Sequence, residues 1–180
     1  MAAEKKTVKQ KILWLIFCLA LILFLLIAIF IPVKKALTFQ DLRSREILAY
    51  LPIKEDQTFQ LEYTHSIHQS TVIDTYTVLP DHQIQQTELQ YEDMAIGMPS
   101  NAMFDGEIFV EKDGKYFIKN MNRVFPSINL RTSQVVISHK IKTEGSTYKM
   151  HDFIAPGSLI NLEVKDLTMF QLLRGVKMNG

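Results

Sequence analysis

The stretch FQLEYTHSIHQSTVIDTYTVL, Phe59 to Leu79, decides the fold, because it alternates apolar and polar residues on both sides of a short polar break. Phe59, Leu61, Tyr63, His65 and Ile67 share one face of a first strand, and Gln60, Glu62, Thr64 and Ser66 share the other. After the break the apolar set moves to even positions, where Val72, Tyr76 and Val78 flank Asp74. A hairpin closed by His68 to Thr71 sets Ile67 opposite Val72, His65 opposite Asp74, Tyr63 opposite Tyr76 and Leu61 opposite Val78. A slip by an odd number of residues turns one apolar set toward water, so the pleat selects against it. The expected result is a polar pair, His65 and Asp74, within a core face. An imidazole opposite a carboxylate offsets the desolvation of both, as an internal structural contact or as part of a binding site.

The same patterning continues outward. EIFVEKDGKYFIK, Glu107 to Lys119, places Asp113-Gly114 between two alternating runs, which predicts a two-residue type I′ hairpin. In HQIQQTELQYEDM the apolar Ile84 and Leu89 have opposite parity, which predicts a bulge or break between them. ALTFQDL and EILAYLPI, separated by RSR, read as strands, as do RVFPSINL, QVVISHKI, TYKMHDFI and LINLEV. Pro126 marks an edge or bulge, Pro156-Gly157 a turn, and TMFQLLRG a short helix or a last strand. Many short strands without a long amphipathic helix predict an all-β domain, an antiparallel sandwich or barrel.

Upstream, Ile12 to Ile31 is an uncharged apolar run. Twenty residues at about 1.5 Å each cross a bilayer core of roughly 30 Å. The run exceeds the usual length of a signal-peptide core and ends in PVKK. The expected organisation is a cytoplasmic N-terminal tail over 1–11, a transmembrane anchor over 12–33 and an extracytoplasmic β-domain over 36–180; a cleaved signal is the alternative. Lys5, Lys6, Lys9 and Lys11 precede the run, against Lys34 and Lys35 after it, which favours an inside N-terminus.

The net charge of +1 conceals an asymmetry, since the chain from Ala36 onward has 14 Lys plus Arg against 18 Asp plus Glu. An acidic domain without a basic stripe argues against nucleic-acid binding. Cys18 is the only cysteine and lies inside the apolar run, so an intrachain disulfide is excluded.

The histidines invite a metal reading, but on one strand His65 and His68 point to opposite faces, and no cysteine or carboxylate cluster accompanies them. Ser66, His65 and Asp74 are the residue types of a hydrolase triad; adjacent strand residues face opposite ways, however, and no nucleophile elbow is present. Gly97 and Pro99 read as a turn. Arg123 and Arg131 have the guanidinium groups that a carboxylate clamp requires, and surface ion pairing is their commoner use.

Tyr63-Thr64-His65-Ser66, then Asp74 and Tyr76, the turn Ala95-Ile96-Gly97-Met98-Pro99, MNRVFPSINLR and the late Pro156-Gly157 occur in this order. In these features the chain resembles a bacterial family, domain of unknown function 1850, often encoded beside TRAP-type transporters of the TAXI class. The family's acid is usually Glu where this chain has Asp74, and Ala95 replaces the first glycine of its turn. The resemblance implies association with solute uptake through a permease or solute-binding protein, and it supplies no reaction. The expectation is a non-enzymatic, cofactor-free, membrane-anchored accessory domain. A small-ligand or envelope-component binding module ranks second and a hydrolase third.

Overall fold

The computed structural model describes residues 2–65, 67–94, 97–134 and 138–178. It begins with helix α1, Ala2–Ala28. Strands β1, Pro32–Asp41, β2, Ile47–Pro52, β3, Thr58–Thr64, β4, Thr71–Val78, and β5, Ile84–Tyr91, follow. Next come β6, Ile108–Lys112, β7, Lys115–Lys119, β8, Arg123–Phe125, β9, Ile128–Arg131, β10, Lys140–Thr143, and β11, Ser146–Lys149. After a 3-10 turn at Met150–Asp152, β12, Leu159–Thr168, leads into helix α2, Met169–Arg174, and β13, Val176–Lys177.

The strands form two sheets packed as a sandwich, with the order β13-β2-β1-β12-β9 in one and β11-β10-β3-β4-β5-β7-β6 in the other, where β8 also pairs with β5. Neither sheet closes on itself, so the all-β expectation resolves to a sandwich and not a barrel. Among the described residues every pairing is antiparallel except β13 with β2. Leu37 and Phe39 of β1 and Ile160, Leu162 and Val164 of β12 meet Phe59, Leu61, Tyr76, Val78 and Ile84 in the core. A second cluster of Val72, Leu89, Tyr91, Ile118 and Met121 continues across the larger sheet.

Both local signals read from sequence are present. Lys112 pairs with Lys115 around Asp113 and Gly114, whose φ values of 54° and 71° fit the predicted turn. In the β4–β5 ladder Thr75 pairs with Glu88 but Tyr76 with Gln86, leaving Thr87 as a bulge that accounts for the parity change between Ile84 and Leu89.

Four boundaries differ from expectation. The helix ends at Ala28, and Pro32 and Val33, assigned by sequence to the anchor, open β1; proline disfavours helix at the residue before it and cannot donate within one. RVFPSINL is two strands split at Pro126, and they belong to different sheets. TYKMHDFI leaves the strand at Lys149 for the 3-10 turn. In QVVISHKI, Val135 to Ile137 lie outside the described residues, and β10 begins only at Lys140. The tail forms both of its alternatives, a helix and then a strand, and the helix starts on a capping box between Thr168 and Gln171.

Candidate functional site

The register of the β3–β4 hairpin is slipped by four residues from the expected one. Phe59 faces Tyr76, Leu61 faces Asp74 and Tyr63 faces Val72, with Thr64 and Thr71 as the last pair. A four-residue slip preserves parity, so the apolar faces still meet and the pattern alone does not choose between the two registers. The observed one stacks the rings of Phe59 and Tyr76 with centroids 5.4 Å apart. It also opens a wider loop, in which the His65 N–H donates to Ser70 O at 2.8 Å and the Gln69 N–H to His65 O at 3.0 Å.

His65 and Asp74 are therefore not partners. His65 lies in the loop beside His68, ring centroids 5.7 Å apart, with its Nδ1 buried and unbonded among the described residues. Four residue steps of strand, about 13 Å, separate it from a position opposite Asp74. Ser66 lies outside the described residues, as do Ala95 and Ile96.

Asp74 instead occupies the inner face of β4 at 8% exposure, between Val72 and Tyr76. Its Oδ1 accepts a hydrogen bond from Gln86 Nε2 at 2.6 Å. The Thr87 bulge turns Gln86 to that face, and Gln86 pairs in turn with Arg123 of β8. Burial pushes the Asp74 carboxyl up to about 6, against the opposing effects of the Gln86 bond and the Arg123 charge. Tyr63 is pushed up to about 12 by burial and then by the Asp74 charge, and Tyr76 is raised by burial, Asp74 and Tyr63. Tyr63 stacks on His139, centroids 5.8 Å apart, and burial lowers the pKa of that imidazole.

Arg123 is held by Glu107, whose Oε1 accepts from Nη2 at 2.8 Å and Nε at 3.1 Å. Glu107 Oε2 accepts from the N–H groups of Met103 and Phe104 at 3.0 and 3.2 Å, and the Phe104 ring covers the guanidinium at 4.6 Å. With its side chain only 2% exposed, Glu107 feels burial raising its pKa, but the Met103 N–H, Arg123 and the Phe104 N–H outweigh it and hold the carboxyl below its ordinary value. This pair staples the loop before β6 onto the larger sheet. Farther along, the Tyr91 hydroxyl donates to Pro99 O, and Gly97 adopts φ 95°.

Of the residues singled out by sequence, Tyr63, Asp74, Tyr76 and Arg123 form one cluster. Arg131 lies on β9 in the other sheet, paired with Leu159, so the two arginines form no clamp. Sequence reading missed Gln86 and Glu107. The parity change at Ile84 and Leu89 was the available signal for Gln86: carrying the even phase of Ile84 forward puts residue 86 on the inner face. Glu107 acts from a loop end and gave no periodic signal.

The cluster is a carboxyl group poised to titrate in a largely apolar core, between two tyrosines and beside a fixed guanidinium. Chemically it can hold or release a proton and hydrogen-bond a polar group reaching the inner face.

These features define a class: a β-sandwich borne directly on an apolar N-terminal helix, with a buried polar cluster in its larger sheet. The family model for a domain of unknown function, DUF1850, matches residues 59–150, slightly more than half of the chain, and the protein belongs to that family. The matched segment runs from β3 to Met150 and so includes Tyr63, Asp74, Tyr76, Gln86, Glu107 and Arg123. No curated protein and no solved structure matches the chain.

Proposed function

We propose that the protein is a membrane-anchored extracytoplasmic accessory domain, without catalytic activity of its own, that assists a TAXI-type TRAP solute transporter by contacting its permease or solute-binding protein. The supporting observation is the junction between helix and sandwich. Gln10–Ala28 is long and apolar enough to cross a membrane, and Ile29 to Ile31 alone separate α1 from β1. A domain joined this closely works at the bilayer surface, where a permease presents its outer loops. The lysines before the helix support a cytoplasmic N-terminus. The TRAP assignment rests on the family resemblance.

The Asp74 cluster favours a second reading, a small-ligand binding module. Affinity isolation of the tagged full-length protein in mild detergent separates the two. Co-purification of a permease subunit or solute-binding protein, with uptake lost in a deletion strain, supports the accessory role. A bound small molecule without either protein, and normal uptake, supports the module. Protease added to intact cells tests the orientation by removing the β-domain.

A further inference from the structure

Helix α2 crosses the outer face of the smaller sheet, where Leu172 packs against Ala36, Tyr50 and Leu167. Away from that contact α2 carries exposed apolar side chains: Met169, Phe170 and Leu173, with Leu173 at 73%. At 100° per residue these three fall within one arc, with Arg174 at its margin. The arc is fixed to the end of the apolar helix. The Phe170 N–H donates to Ile29 O at 3.1 Å, and the Phe170 ring lies 5.5 Å from the ring of Phe30, itself exposed. Phe30 and Ile31 extend the apolar run past Ala28, so whatever depth the helix end takes in a bilayer, Phe170 takes with it.

Between α2 and the β1–β2 turn runs a groove of about 580 Å³, lined by Phe30, Phe170, Ser44, Arg45, Glu46 and Arg174, with the Arg174 guanidinium 5.5 Å from the centre of the Phe170 ring. Arg174 is 3.9 Å from Glu46, while Arg45 has no carboxylate within ion-pairing distance among the described residues. Apolar side chains continuous with a membrane helix, bordered by guanidinium groups, match the chemistry of an anionic phospholipid interface, in which acyl chains take the first and phosphates the second.

We propose that α2 and Phe30 form a monolayer-inserting face that lays the smaller sheet against the outer leaflet, with Arg45 and Arg174 on lipid phosphates. The inference rests on the membrane-anchor reading. Full-length protein carrying Cys18→Ser and Leu173→Cys is spin-labelled, reconstituted into phosphatidylcholine vesicles with and without phosphatidylglycerol, and compared with a variant labelled through Asp113→Cys at the β6–β7 hairpin tip. The expected result is that the label at position 173 is several-fold more accessible to oxygen than to a water-soluble nickel chelate, while that at 113 shows the reverse. Adding Arg45→Glu and Arg174→Glu should return the label at position 173 to water in the anionic vesicles. If the protein floats with the vesicles but both labels are aqueous, the docking face is wrong and the anchor stands. Failure to float overturns both. Immersion that survives the charge reversals overturns the phosphate contacts.

Discussion

Gln86 donates to Asp74 across the β4–β5 pairing at 2.6 Å, and it reaches the inner face because Thr87 is bulged out of the ladder. A backbone irregularity thus determines the partner of the most deeply placed carboxylate in the larger sheet. Without the bulge, Thr87 would face Tyr76 and the Gln86 amide would point to solvent.

Stability should depend on pH through Asp74. Its pKa is raised from 3.8 to about 6, so its favourable contribution is fully present below the unfolded value and is lost as pH rises through about 6. Two units correspond to about 2–3 kcal/mol by linkage. Asp74→Asn keeps the volume and an acceptor for Gln86, and should raise the stability of the detergent-solubilised chain near pH 7.5 by up to that amount. Denaturant unfolding of both proteins from pH 4 to pH 8 checks this, because the difference between them removes the opposite trends of Glu107 and of Glu62, whose pKa burial raises but Lys140 and Lys142 hold below its ordinary value. His65→Ala should leave the difference unchanged.

Gln86→Leu removes the donor and leaves a buried carboxylate less satisfied, a loss of about 1–3 kcal/mol near neutral pH. The double change Asp74→Leu with Gln86→Leu removes both polar groups and should recover most of it. A double variant no more stable than Gln86→Leu alone would mean that the two side chains do not compensate one another.

Arg123→Ala should release the loop before β6. The N–H groups of Met103 and Phe104 both donate to Glu107, so their hydrogen exchange should accelerate while that of Ile118 in the core stays slow. Global stability should fall by about 1–3 kcal/mol, the scale for a charged hydrogen-bonded group left unpaired. Unchanged exchange at Met103 and Phe104 would count against the staple.

Gly114 occupies φ 71° in the β6–β7 turn. Gly114→Val places a β-branched side chain in the left-handed region and should destabilise the chain by at least about 1 kcal/mol, read from its thermal unfolding midpoint. Gly157→Ala adds a clash to unfavourable φ, because a Cβ there would lie 2.4 Å from Gln134 Nε2, though a flexible glutamine can move aside.

Alternation and turn chemistry made the larger sheet legible: the Asp113-Gly114 hairpin, the inward set Val72, Asp74, Tyr76 and Val78, and the bulge between Ile84 and Leu89 were all open to reading. Hairpin register was not, since parity forbids odd slips but is silent on a slip of four. Choosing between those registers needs packing knowledge, here the Phe59–Tyr76 stack. The same silence misassigned His65, which alternates as a strand residue but lies in the loop. Arg123 was visible as a charge, whereas its partner Glu107 depends on how a loop folds back, a non-local outcome that no periodicity encodes.

The short passage from Ala28 to Pro32 has a kinetic consequence. A three-residue connection gives the sandwich almost no reach, so in a bilayer it would sample a thin layer and travel mainly by the lateral diffusion of its helix. Encounters with an integral partner would then be a search in two dimensions with the binding faces already at matching height. A soluble partner, by contrast, would have to descend to the surface, making its capture sensitive to the charge and crowding of the lipids around the anchor.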